Sequence, residues 1–252
     1  IGHAVLVHRA LWESLPVVEL RPGLLLNYAA ALRCFEYFGE AAVGHIDEMV
    51  FHRPETAPVD WPAFGRDALP LLTGHLQRQN LPATVSAGPL PGTFQVNYRL
   101  TQTPLVSIII PTRNRLDLIQ ACLDSLLAGT RYPRFEVLVI DNRSDEPAVL
   151  DYLQTQAGRD ARVRVIPYPA EYNYSAINNH AARLAQGEFL LLLNNDTVIL
   201  QEDWLDTLVA IGLRPDVGAV GCRLIYPNHS VQHAGIIVGL GGGADHIGIG
   251  LP

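Results

Sequence analysis

The stretch Val106-Ser107-Ile108-Ile109-Ile110-Pro111-Thr112-Arg113-Asn114 decides how the rest of the chain is read. Its apolar run is continuous, β-branched and short, and Pro111 closes it. That is the pattern of a strand buried on both faces, as in a parallel sheet covered on both sides. Downstream, Leu116, Ile119, Leu123, Leu126 and Leu127 fall at helical spacing with Gly129 as a stop. A second strand is read at Phe135–Ile140, ending at Asp141-Asn142, and a short helix after Pro147. Arg162–Ile166 alternates as a third strand, Ser175–Gln186 reads as a helix, and Phe189–Leu193 as a fourth strand ending at Asn194-Asn195-Asp196. A helix over Trp204–Ile211 and strands within Val217–Leu224 and Val231–Val238 complete the pattern. Strands alternating with helices predict an α/β fold, a Rossmann-like, mainly parallel sheet flanked by helices.

The part before Thr103-Pro104 has a different texture. Leu24–Phe38 and Trp61–Gln79 read as helices, Pro54–Pro58 as a linker. Thr84-Val85 and Thr93–Leu100 read as a β-hairpin around Gly88-Pro89-Leu90-Pro91-Gly92. This predicts an N-terminal helical and β-hairpin appendage.

Composition narrows the function classes. Hydrophobic residues make up 48% and charged residues 17% of 252, which excludes a disordered or fibrous chain. Eighteen Lys+Arg against 25 Asp+Glu give a net charge of −7, which argues against nucleic acid as a partner. No apolar run reaches the roughly 20 residues of a membrane span. Cys34, Cys122 and Cys222 have no metal or disulfide spacing and read as buried free thiols in a reducing compartment. The opening Ile1-Gly2-His3-Ala4, without Met or a basic leader, reads as an internal piece of a longer protein.

In a parallel sheet of this kind ligands bind beyond the carboxyl ends of the strands. Polar residues gather at those ends. Pro111, Thr112, Arg113 and Asn114 offer backbone N–H groups at a helix start, which suits a nucleotide, while a plain helix cap explains Asn114 equally well. Asp141 suits a ribose hydroxyl or base N–H, or an Asx-turn into Asn142-Arg143-Ser144. Asp196, preceded by Asn194 and Asn195, suits a hard cation on a diphosphate, or the cap of the next helix.

Taken together, these segments resemble family 2 glycosyltransferases. Val106–Arg115 is similar to the family's opening strand, and Val139-Ile140-Asp141-Asn142-Arg143-Ser144 to its second. Asn173–Asn179 followed by Ala185–Phe189 is similar to the helix before its metal strand, and Leu191–Asp196 to its Asp-x-Asp segment. The resemblance covers about Pro104–Gly243, and its flavour is the bacterial rhamnosyltransferase-like group that builds surface polysaccharide. It implies the A-type glycosyltransferase fold, a nucleotide-diphosphate sugar donor (UDP- or dTDP-linked), Mg²⁺ or Mn²⁺, and a glycan or lipid-linked saccharide acceptor. It implies nucleotide contacts from Pro111–Asn114, Asp141, Asn178, Asn194 and Asn195, cation binding by Asp196, and a pocket role for His233 in Gln232-His233-Ala234-Gly235. It also implies a cytoplasmic location, at the inner face of the membrane.

Two departures matter. Asn194 and Asn195 stand where many members carry Asp, so the site has less negative charge. The family's general base lies downstream in an acidic segment before a helix. Here only Glu202, Asp203, Asp206, Asp216 and Asp245 follow Asp196, none in that setting. The expectation is a domain over 104–252 that is truncated at its acceptor side, with the base beyond Pro252. By the same resemblance, Asn27–Arg33, His45-Ile46-Asp47-Glu48 and Phe51-His52 make 1–52 the tail of a preceding module, with Asn27 in place of its base, and 53–103 a connector.

A nicotinamide-dependent oxidoreductase needs a Gly-rich loop after the first strand, and Thr112–Arg115 has none. Gly239–Ala244 lacks the following helix such a loop requires. His229, His233 and His246 fit no standard zinc spacing and read as ordinary surface or core histidines.

Overall fold

In the computed structural model the described residues are 6–14, 24–39, 41, 44, 60–239 and 243–251. The readings of the opening residues, of 45–52, of the 54–58 linker and of 240–242 lie outside them. The chain forms two compact units, 1–99 and 100–252.

The first unit holds α1 (Arg9–Ser14), α2 (Leu24–Phe38), α3 (Trp61–Arg78) and an antiparallel hairpin of β1 (Ala83–Ala87) and β2 (Phe94–Tyr98). Asp60 starts α3 by accepting from the Ala63 N–H at 2.9 Å, and Pro62 fits the first turn, where an N–H is not needed. Helices α2 and α3 are stapled by Glu36, whose side chain is 3% exposed. It receives Arg33, His75 and Arg78 at 2.7–2.9 Å. Burial alone would push this carboxyl up, but the hydrogen bonds from Arg78, His75 and Arg33 outweigh it and pull it down to about 2.

The second unit is built on β3 (Val106–Thr112), β4 (Phe135–Asp141), β5 (Val163–Pro167) and β6 (Phe189–Leu192), all parallel in the order β5-β4-β3-β6. Helices α4 (Leu116–Gly129), α5 (Pro147–Arg159), α6 (Tyr174–Ala182) and α7 (Trp204–Gly212) accompany them. The period-2 geometry of strands sorts the core into two layers. Val106, Ile108, Ile110, Val137 and Val139 pack with Ile119, Leu123 and Leu126 of α4, Val149 and Leu153 of α5, and Leu205 and Val209 of α7. The alternate residues Ile109, Leu138 and Ile140 pack on Ile177 and Ala181 of α6. The predicted α/β sheet with helices on both faces and an N-terminal helix-and-hairpin unit is what the structure shows.

Some details differ from the sequence reading. Strand β3 runs through Pro111 to Thr112 rather than stopping at Pro111. Helix α6 stops at Ala182, because the chain to Gly187 is turned in beneath β3 and β4. Of Val217–Leu224 only Leu224 is strand, paired in a short antiparallel hairpin, β7 (Leu224–Ile225) with β8 (Val231–His233). The second predicted strand is split by Gly235 into β8 and β9 (Ile236–Val238), and β9 pairs with β10 (Ala244–His246). Cys34 and Cys122 are buried, whereas Cys222 is exposed, contrary to its reading as buried; all three are free. Among the described residues no helix is long and apolar enough to cross a membrane.

Candidate functional site

The strand order reverses at β3: β4 and β5 lie on one side of it and β6 on the other. Such a switch point leaves a crevice beyond the strand ends, because the loops from neighbouring strands diverge. Here Pro111 ends the pairing of β3 with β6. Ile109 accepts from the Leu193 N–H at 2.9 Å, so the next rung of the β3–β6 ladder would need an N–H at residue 111. Proline has none, and the ladder ends there. Side chains take over: Asn195 Nδ2 donates to Thr112 Oγ1 at 3.0 Å. On the other side the β3–β4 pairing continues to Thr112 and Asp141, and the Asn142 N–H reaches the Thr112 carbonyl at 2.9 Å. Asp141 and the Asn194–Asp196 turn therefore flank β3 from its two sides, about 10 Å apart at ordinary strand spacing. They can face one ligand.

The loops at this end are held by their own polar groups. Asn114 and Arg115 both have positive φ, 53° and 57°, which costs non-glycine residues roughly 1–2 kcal/mol each. That turn is fixed from outside. The Asn114 N–H donates to Ser144 Oγ at 2.8 Å and its Nδ2 to Asp145 at 2.7 Å. Its Oδ1 accepts from the Asp145 and Glu146 N–H groups at 2.9 and 3.2 Å. The cap alternative for Asn114 is thus not realised; the cap position is Arg115, and Asn114 instead ties the β3–α4 loop to the β4–α5 loop. Asp141 Oδ1 accepts from the Ser144 N–H at 3.1 Å, which is the turn reading of that residue. Its second oxygen has no protein partner among the described residues.

Asp196 is exposed and has no hydrogen-bond or ion-pair partner among the described residues. It lies in a turn closed by the Thr197 N–H on the Asn194 carbonyl at 3.3 Å, and the cap position of the next helix, α7, is Asp203. The cap alternative for Asp196 falls away. Beneath the turn, the Cys122 thiol contacts the Asn194 carbonyl at 3.7 Å, and burial pushes that thiol up to about 12. Among the described residues no group of three or more His, Cys, Asp or Glu side chains forms a metal cage. One carboxylate unpartnered among the described residues, beside two amides, offers oxygen donors of the kind hard cations take, too few to enclose an ion alone.

Asn178 sits on α6, which starts at the same end of the sheet. Its Nδ2 donates to the Tyr174 carbonyl at 2.8 Å, while its Oδ1 is buried without a partner. Arg113 is exposed and without an ion pair among the described residues. Two residues here were not singled out from sequence. Arg143, φ 64°, is a second exposed cation without an ion pair among the described residues, in the β4–α5 loop, and its signal was its place directly after Asp141-Asn142. Asn142 is buried and donates to the Tyr168 and Ala170 carbonyls at 3.0 and 2.8 Å, fixing the chain after β5. His233 is the last residue of β8, in the short antiparallel hairpin β7–β8.

The sequence matches the profile of glycosyl transferase family 2 over residues 107–235, just over half of the chain. An O-antigen biosynthesis protein of Myxococcus xanthus is 43% identical over 82% of this chain and 16% of its own length. An uncharacterised protein of Sinorhizobium fredii is 37% identical over 87% of this chain and 25% of its own. The chain thus spans a quarter or less of both relatives. A Pyrobaculum calidifontis mannosyltransferase, solved with GDP-Man and Mn²⁺, is 25% identical with a TM-score of 0.47, over 67% of this chain and 46% of its own.

Proposed function

This chain belongs to glycosyl transferase family 2, and we propose that its second unit is an A-type donor-binding domain for a nucleotide-diphosphate sugar. What supports the reading is that the strand order sets Thr112, Asp141 and the Asp196 carboxylate, which has no partner among the described residues, at the same end of the sheet beside the switch point. On this reading the β3–α4 turn at Pro111–Asn114 and the free oxygen of Asp141 meet the nucleoside, and Asn178 Oδ1 supplies an acceptor on the α6 side. Arg113 and Arg143 draw the anionic diphosphate to the mouth. Asp196, with Asn194 and Asn195, would hold Mg²⁺ or Mn²⁺, which neutralises charge on the leaving diphosphate. The whole protein then transfers the sugar, with inversion, to a glycan or lipid-linked acceptor in polysaccharide synthesis at the cytoplasmic face of the membrane. Residues 1–52 are the tail of a preceding module, 53–103 a connector and 104–252 the donor domain.

A second reading, a fragment that binds donor without transferring it, is favoured by the acids after Asp196. Glu202 pairs with Arg131 and Asp216 with Arg214. Asp206 has one oxygen buried, and Asp245 is held on the His246 N–H. Asp203, at the cap position of α7, is exposed and makes no side-chain cap hydrogen bond, but it stands at the start of that helix and not in a downstream acidic segment; base catalysis is worth about 10²–10⁴ in rate. Calorimetry against UDP, dTDP and GDP, with and without Mn²⁺, tests donor binding. Asp196→Ala should weaken binding with metal and change little without it; equal loss in both would overturn the cation role. Sugar transfer to an acceptor at the rate of a longer polypeptide would overturn the second reading.

A further inference from the structure

The β8–β10 region brings together two histidines that are thirteen residues apart. His233 ends β8 and His246 ends β10. Their strands are fastened by backbone hydrogen bonds from Ile247 to Gly235 at 3.0 Å and from Gly250 to Val231 at 2.8 Å. Nδ1 of one ring lies 2.6 Å from Nδ1 of the other, and the rings stand at 82° with centroids 4.8 Å apart. His246 is exposed, so solvent reaches the pair. His229 takes no part; it sits in the β7–β8 turn at φ 67°. Among the described residues no third ligating side chain joins the two, and the Asp245 carboxylate is turned onto the His246 N–H at 2.7 Å.

We propose that His233 and His246 form a cation site of a second kind, a two-nitrogen site for Zn²⁺ completed by water or by an oxygen of a bound substrate. Imidazole nitrogens select borderline transition metals, whereas the carboxylate and amides around Asp196 suit hard cations. The geometry is close to what the ion needs. Zn–N bonds of about 2.0–2.1 Å at a tetrahedral angle put the two nitrogens about 3.3 Å apart, so the rings part by less than about 1 Å. The proton balance also closes. In the hydrogen-bonded pair one Nδ1 carries the proton and the other accepts it. When the ion replaces that bond, the donor ring carries its proton on Nε2 instead, and both lone pairs at Nδ1 bind with no net proton released. No sequence spacing signals such a site, because strand placement rather than a helix or knuckle brings the ligands together. The site stands on its own geometry, whether or not the strand-end crevice takes a nucleotide.

A Zn²⁺ titration of the 15N-labelled chain near neutral pH, read in long-range 1H–15N spectra of its histidines, tests the proposal. The expected result is a saturable change at Nδ1 of His233 and His246, with both Nε2 atoms protonated and the other histidines unmoved. His233→Gln and His246→Gln should each abolish it, and Asp196→Asn should leave it intact. Thermal unfolding checks that the variants fold, and the wild-type spectra decide the matter even if one does not. Ligation through Nε2, ligation at other histidines, loss in Asp196→Asn, or no saturable change would each overturn it.

Discussion

Asn195 Nδ2 and Thr112 Oγ1 meet at 3.0 Å and bridge β3 to the turn after β6, at the point where the backbone ladder between those strands has stopped. Thr112 is 4% exposed, so its hydroxyl acts largely out of water. Thr112→Val keeps the shape and removes the acceptor. It should cost about 1 kcal/mol in a urea unfolding experiment. It should also weaken nucleotide binding by calorimetry, because the turn carrying Asp196 loses its tether. Thr112→Ser should restore both.

Glu136 is a buried carboxylate near the start of β4, in the same sheet. It accepts from Ser107 Oγ and the Gln186 N–H, both at 2.6 Å, and from Arg164 at 3.1 Å. Burial alone would raise its pKa, but these three donors together leave it below the ordinary 4.5. A carboxylate depressed by folding stabilises the protein fully above its unfolded value, and that stability is lost as pH falls through the folded value. Urea midpoints of the wild type should therefore fall below about pH 4.5. Those of Glu136→Gln should start lower at pH 7 and depend less on pH.

Gly187 approaches β3 so closely that a Cβ would lie 2.6 Å from the Ser107 nitrogen and 2.7 Å from the Leu105 carbonyl. Both neighbours are backbone and cannot step aside. Gly187→Ala should destabilise the second unit by about 2–3 kcal/mol, the scale of overpacking. Differential scanning calorimetry should show the second unit's transition lowered.

Glu36 gives the first unit its own acid sensitivity. With its carboxyl at about 2, its contribution is intact at neutral pH and lost as pH falls from the usual carboxylate range towards that value. Glu36→Ala leaves Arg33, His75 and Arg78 facing one another without a counter-charge. It should cost on the order of 3 kcal/mol by thermal unfolding at pH 7.

How much of this was legible from sequence depended on the kind of signal. The central strands were readable because burial on both faces writes an unbroken β-branched run, as in Val106–Ile110. Helix α4 was readable from its 3.6-residue spacing. The segment 217–223 misled, because apolar residues with small neighbours read as strand where no strand among the described residues offers a ladder. At the candidate site, residue types at strand ends were visible, and partners were not. Asn114 looked like a local cap, yet its bonds go to Asp145 and Glu146. Asp196 suited a cation or a cap equally, and the cap falls at Asp203. The His233–His246 contact depends on how hairpins fold back, a non-local fact that no spacing rule contains.

Pro111 has a consequence for the crevice. Two parallel strands side by side tend to zip together wherever an N–H can find a carbonyl, and a crevice between strand ends is always at risk of closing on itself. A residue with no N–H, set where the next tooth would engage, jams that zipper permanently. A ligand arriving at this end would then break no backbone ladder bond to enter and would meet only the Asn195–Thr112 side-chain bridge there.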